Sequence, residues 1–134
     1  MFESLPGLYL ILSTDLTILT ANNAYTEATM TKREEIVGRG LFDVFPDNPD
    51  DEAADGVSNL HKSLNSVIKN KTAHTMAVQK YDIQKPDGTF EVRYWSPVNI
   101  PILNEANEID CIIHRVEDVT EFVLLKEEQR IRNQ

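Results

Sequence analysis

The stretch IDCIIHRVEDVTEF, residues 109–122, begins as an apolar, strand-like run and ends in an acidic pair, a threonine and the start of a charged segment. Side chains alternate across a strand. Counting back by twos from Asp118 therefore places Val116, His114, Ile112 and Asp110 on one face, and Glu117, Arg115, Ile113 and Cys111 on the other. His114 and Arg115 point in opposite directions and cannot act as one catalytic site. Asp118 and Glu121 have the spacing of a capping box: Asp118 accepts from the first free amides of a following helix and Glu121 reaches back. Thr120 is the alternative cap. The stretch reads as a strand that runs into a helix.

Working outward, TEFVLLKEEQRIRNQ (120–134) is a charged amphipathic helix with Phe122, Leu125 and Ile131 as apolar anchors. It is too short to require a coiled coil. A helix folded against its own sheet and a connector that leaves the domain are both open readings.

Upstream, HTMAVQKYDI (74–83) and FEVRYWSPVNIPI (90–102) are two further long strands, and PDG (86–88) and NEANE (104–108) serve as hairpin turns. DEAADGVSNLHKSLNSVIKNK (51–71) repeats Val57, Leu60, Leu64, Val67 and Ile68 at helical spacing, with acids in its first turn and lysines in its last. At the start, LYLILS (8–13) and LTILTA (16–21) form a hairpin about Thr14 and Asp15. NNAYTEATM (22–30) is a short helix capped by Asn22 or Asn23. TKREEIVG (31–38) is another, capped by Thr31 with Glu34 three residues later and stopped by Gly38. GLFDVFPDNPDD (40–51) is one apolar turn closed by Pro46 and Pro49, then an acidic loop. Two strands, a block of helices, three strands and a terminal helix predict an α+β fold: a five-stranded antiparallel sheet with helices on one face.

Composition sets the bounds. A chain of 134 residues is the size of one domain with a single core. The net charge of −9 argues against a nucleic-acid or anionic-membrane surface, which draws on clustered Lys and Arg. The longest early apolar run, LYLIL (8–12), is too short for a membrane span or a signal-peptide core, and no basic segment precedes it. The single cysteine, Cys111, excludes an internal disulfide and a multi-cysteine metal site, and is expected to be a buried inert thiol in a cytoplasmic protein. Among five glycines there is no phosphate-binding loop, and no serine or cysteine sits in a nucleophile elbow. The three histidines lack metal-ligand spacing, so no metal is expected.

Several segments together resemble a PAS domain, the sensor module of bacterial signalling proteins, over about residues 5–122. LPGLYLILSTDLTILTANNAYTEATM resembles the opening hairpin and first helix. REEIVGRGLFDVFP resembles the short-helix block, PDGTF the turn before the long strands, and EDVTEF the Asp-x-Thr ending that joins the last strand to a signalling helix. The resemblance implies a PAS domain over 1–119 and a C-terminal signalling helix from 120 to 134. It also implies a sensory role without catalysis, often dimeric and attached to an output domain such as a histidine kinase of a two-component system. One departure matters. The light-sensing flavin branch carries a reactive cysteine after the short helices, and the matching segment here, FPDNPDDEAADG, has none. That excludes flavin–cysteine photochemistry but not reversible flavin binding.

Strand alternation leaves two readings of the sheet. Arg93, Trp95, Pro97 and Asn99 share one face of the middle strand, and Val92, Tyr94, Ser96, Val98 and Ile100 the other; Ala77, Gln79 and Tyr81 share a face of the first. If the more apolar set faces the helices, the core is plain and Arg93, Asn99 and His114 are surface residues. If the register typical of the family holds, Gln79, Tyr81, Arg93, Trp95, Asn99 and His114 line a polar pocket with an aromatic wall, suited to a small anionic or hydrogen-bonding ligand. One bulge would exchange the two. His61, at the rim of the long helix's apolar stripe, is the one haem axial candidate. The expected function is thus a sensory domain that binds a small ligand between helix 51–71 and the sheet. It would relay binding through Asp118, Thr120 and Glu121 to the terminal helix and a homodimer partner. The alternatives are a ligand-free dimerisation or spacer module, or a haem or flavin sensor.

Overall fold

The structure, a computed structural model, describes residues 1–133. Eight strands and five α-helices follow the expected order: β1 (Leu8–Leu12), β2 (Ile18–Ala21), α1 (Asn23–Thr29), α2 (Arg33–Ile36), α3 (Leu41–Val44), α4 (Gly56–Asn70), β3 (His74–Thr75), β4 (Gln79–Lys80), β5 (Ile83–Gln84), β6 (Phe90–Glu91), β7 (Tyr94–Leu103), β8 (Ile109–Asp118) and α5 (Thr120–Arg132). The antiparallel sheet runs β2-β1-β8-β7-β3, and β4 also pairs with β7. The predicted five-stranded sheet is present, with its fifth, edge strand delivered as two short pieces.

That division is the main departure from the predicted elements. His74 and Thr75 pair with Asn99 and Val98, but Gln79 and Lys80 pair with Trp95 and Tyr94. Three residues, 76–78, therefore stand against two, 96–97, which is a one-residue bulge that exchanges the faces of the strand. Beyond it, β5 leaves the main sheet and pairs only with β6 in a two-stranded ribbon. Asp82 and Ile83 are consecutive and both buried, which a regular strand does not allow.

The helix ends also moved. The long helix begins at Gly56 rather than Asp51, because Asp51 turns the chain back on itself: its Oδ1 accepts from the Ala53 amide and its carbonyl from the Ala54 amide. The α4 N-terminus is instead satisfied from a distance, the Val57 amide donating to Asp47 Oδ1 at 3.1 Å. Gly56 is where helix meets β4–β5 linker. A Cβ there would lie 2.5 Å from Tyr81 Cδ2. Thr31 does not cap α2; its hydroxyl pairs with Thr29 Oγ1 at 2.9 Å, and Lys32 occupies the cap position without a side-chain bond.

Asn22 was one of two candidate caps, and it is the one used. Its Oδ1 accepts from the amides of Tyr25 and Tyr9, and its Nδ2 donates to the carbonyls of Leu5 and Gly7. Fully buried, it caps α1 and ties the N-terminal segment to β1 in one residue. The core lies between the helices and one face of the sheet. Leu10, Leu12, Ile18, Ile112 and Val116 meet Ile36, Leu41, Leu60, Leu64 and Val67 there. None of α5 is buried: it projects from the end of β8 with Phe122, Leu124, Leu125 and Ile131 exposed. No helix among the described residues is long and apolar enough to cross a membrane.

Candidate functional site

The covered face of the sheet is the more polar one. Trp95, Pro97 and Asn99 on β7 and Ile112, His114 and Val116 on β8 are buried, while Tyr94, Ser96, Val98 and Ile100 face away. Asn99 and His114 stand directly opposite each other in the β7–β8 ladder. The plain-core reading, with the apolar set facing the helices, is therefore corrected. The physical reason is that α4 supplies a polar partner. Ser63 stands on its buried face among Leu60, Leu64 and Val67, at 3% exposure.

These polar groups form one row. His114 Nδ1 lies 2.6 Å from Asn99 Oδ1, Asn99 Nδ2 donates to Ser63 Oγ at 2.9 Å, and Ser63 Oγ lies 2.7 Å from Nδ1 of the exposed His74. The row crosses from β8 through β7 to α4 and ends at the surface on β3. The bulge makes its outer end possible by placing His74 opposite Asn99 on the covered face. Burial holds the His114 imidazole neutral, pulling its pKa down to about 4.

Beside His114 a cavity opens between the helices and the sheet. Its walls are mainly apolar: Leu41, Phe45 and Leu60 on the helix side, Trp95, Pro97 and Val116 on the sheet side, and Met76 and Ile83 at the edge. Tyr25 packs edge-on to His114 with ring centroids 6.4 Å apart, and burial raises its phenol pKa well above the ordinary value. Tyr81 closes one end, its hydroxyl donating to the Phe45 carbonyl and its own carbonyl accepting from Trp95 Nε1 at 2.7 Å. Burial, and next the neighbouring Tyr25 and Asp47, push the Tyr81 phenol upward as well.

The cavity volume is about 50 Å³. One water needs about 10–15 Å³ on that measure. It is thus several-fold smaller than the about 300–1,000 Å³ of a pocket for a drug-sized ligand. Haem and flavin do not fit it. His61 also stands on the outer face of α4, exposed, with its ring against Phe42, and does not line the cavity.

Of the residues singled out from the sequence, Gln79, Tyr81, Trp95 and His114 line this cavity, and Asn99 stands behind His114 as its partner. Arg93 does not line it. Its guanidinium points to the rim, where Nε and Nη2 hold Glu91, and Nη1 donates to the Ala28 carbonyl and to Asp118 Oδ2 at 3.1 Å. Sequence reasoning missed Tyr25, Ser63 and Asp82. A serine inside the apolar stripe of the long helix was the one readable signal among them. Asp82 lines the cavity, but Lys80 Nζ donates to both of its oxygens, Asn48 Nδ2 to Oδ2 and the Arg93 amide to Oδ1. Lys80 also holds Asp51 at 2.7 Å. That bond is the first cause of a lowered Asp51 pKa.

The strand–helix joint is built differently from a capping box. Val119 holds the cap position of α5 without a side-chain bond, and Glu121 is exposed and bonds none of the described residues through its side chain. Asp118 Oδ1 accepts from the Thr120 amide and hydroxyl, and Thr120 Oγ1 accepts from the Tyr94 amide at 2.9 Å. The Val119 amide donates to the Tyr94 carbonyl. Thr120 is thus spent on fastening the first residue of β7 to the end of β8, and is not free to cap. With Arg93 bridging Asp118 to α1, the joint touches β7, β8 and the first helix at once.

Solved structures share this architecture. The PAS domain of a protein from Colwellia psychrerythraea superposes with a TM-score of 0.68 at 14% identity, over 90% of this chain and 92% of that one. The PAS-B domain of Drosophila melanogaster Cycle, with bound ethylene glycol, gives 0.64 at 18% identity, over 83% and 98%. A sensory box sensor histidine kinase from Vibrio cholerae gives 0.61 at 19% identity, over 87% and 83%. No curated protein matches the chain. A family model described as PAS fold matches residues 2–124, which include the whole of the sheet, α1 to α4 and the start of α5, and the chain belongs to that family.

Proposed function

We propose that this chain is a non-catalytic sensory domain of a larger signalling protein, which binds a small ligand in the cavity between α4 and the sheet and relays binding to α5. The observation that carries the reading is the polar row His114–Asn99–Ser63, which runs from the edge of the cavity across the sheet to α4. A buried polar group costs stability unless it is hydrogen-bonded, and a satisfied network fixes one arrangement of a core. Here one end of the row borders the cavity, and its histidine lies four residues before Asp118 on the strand that feeds α5. A ligand that shifts His114 shifts β8, and with it the Asp118–Thr120 joint. It can do so only if it binds the two arrangements unequally.

The fold shared with a sensor histidine kinase supports a kinase as output, and the ethylene glycol in a related domain supports an occupant of a few atoms. The exposed apolar residues of α5 favour a homodimer formed through that helix, with Glu121 on its outer surface available to a partner. We place the domain in the cytoplasm. Native mass spectrometry of freshly purified protein tests ligand and subunit number together. The expected result is a dimer carrying a small non-covalent adduct, with a melting shift on adding back the released compound. A second reading, a spacer without ligand, is favoured by the small size of the cavity. It would show no adduct and no melting shift across a metabolite screen.

A further inference from the structure

The cavity has a definite hydrogen-bonding polarity, which follows from one sulfur atom. Asn99 Nδ2 lies 3.6 Å from Met76 Sδ as well as 2.9 Å from Ser63 Oγ. A thioether only accepts, so the amide must present its NH₂ there and its oxygen to His114. The oxygen only accepts, so Nδ1 of His114 must carry the hydrogen. A neutral imidazole has one N–H, which leaves Nε2 with a lone pair.

That Nε2 has no partner among the described residues, although His114 is 95% buried, with 5% exposure, and lines the cavity. The Tyr25 hydroxyl is likewise unpartnered on a residue of equal burial. Neither atom is sealed off, since among the described residues no unpaired side-chain nitrogen or oxygen is wholly enclosed. The charges nearby are already spent. The Asp82 carboxylate is occupied by Lys80, Asn48 and a backbone amide, and the Arg93 guanidinium is held at the rim by Glu91 and Asp118. An anion entering the cavity would meet no free cation and a lone pair at Nε2, at the full cost of burying an unpaired charge.

We propose that the cavity selects a small uncharged molecule with an N–H or O–H donor at one edge, given to His114 Nε2, and an otherwise apolar body. This rests on the cavity being the ligand site, and it replaces the anionic ligand that an inward Arg93 would have suited. The Tyr25 hydroxyl serves a second polar atom of either sense. The space, about 50 Å³, holds on the order of five non-hydrogen atoms in its present shape. Small azoles, lactams and short alcohols meet these terms.

Two measurements test it. Two-bond ¹H–¹⁵N spectra of the labelled full chain at pH 7 should show His114 as the neutral Nδ1–H form, and an Nε2–H form overturns the proposal without any variant. Titration with pyrazole, isoxazole and propionate, followed by the resonances of cavity residues, should then show pyrazole binding at least tenfold tighter than isoxazole, its donor-free counterpart, and propionate not binding. His114→Phe should reduce the pyrazole preference to less than threefold. Equal binding of the two azoles, or a preference for propionate, overturns the ligand chemistry while leaving the cavity as a ligand site. No binding by any of the three overturns the cavity as a ligand site, and the polarity proposal with it.

Discussion

His114 should make this protein acid-sensitive in a pH range where carboxylates play little part. The imidazole is buried, with its folded pKa lowered to about 4, while an unfolded histidine titrates near 6.5. Below pH 6.5 the unfolded chain therefore binds a proton that the folded chain refuses, and stability falls as pH falls. Above 6.5 both states are neutral and the contribution is complete; below about 4 both are charged and the loss is saturated. Linkage over this window gives a loss of about 2 kcal/mol between pH 7 and pH 5, rising to about 3 kcal/mol at pH 4. In a domain of this size 2 kcal/mol lowers the melting temperature by about 5–10 °C. Urea unfolding followed by the fluorescence of the single Trp95, at half-unit steps from pH 7.5 to 4.5, measures it directly. His114→Gln removes the titrating group but keeps an N–H donor for Asn99. His61 and His74 remain in both proteins, so their contributions cancel in the difference. The variant should lose about 2 kcal/mol less than the wild type over the same window. Parallel pH profiles for the two proteins would refute the reasoning.

Three other substitutions probe the frame around the site. Gly56→Ala should destabilise by about 1–3 kcal/mol in urea despite alanine's better helix propensity, because its Cβ would meet the Tyr81 ring at 2.5 Å; an unchanged midpoint would show that the ring moves freely. Asn22→Ala should cost about 3 kcal/mol or more, since two amides and two carbonyls lose their partner, and Asn22→Asp should restore only part because it faces both carbonyls with a carboxylate. Equal stability of the alanine variant would mean that water replaces the network. Thr120→Val should cost about 1–2 kcal/mol and speed hydrogen exchange at the Tyr94 amide, which loses its acceptor; unaltered exchange there would remove Thr120 from the joint.

The sequence by itself determined the order of elements, the antiparallel hairpins and the helix-to-sheet layering, because these follow from local periodicity and turn chemistry. It also determined which residues share a face along β8, since alternation needs only one strand: Ile112, His114 and Val116 were paired correctly from the sequence. What it could not determine was which face the helices cover. In β7 the apolar set, Val98 and Ile100 included, faces outward, and burial of Asn99 becomes tolerable only because Ser63 arrives from α4 and His114 from β8 to satisfy it. Those partners lie 36 and 15 residues away.

The edge strand shows the same limit. A single extra residue between Thr75 and Gln79 exchanges its faces, and no local pattern marks it. Arg93 was expected within one strand over 90–102, but that strand is broken into β6 and β7 and Arg93 lies in the break, where Asp118, Glu91 and the Ala28 carbonyl outcompete an apolar cavity for its guanidinium. Alternation along a strand is a property of the backbone and is written locally. The satisfaction of a buried polar group depends on distant segments, and only the folded chain brings them together.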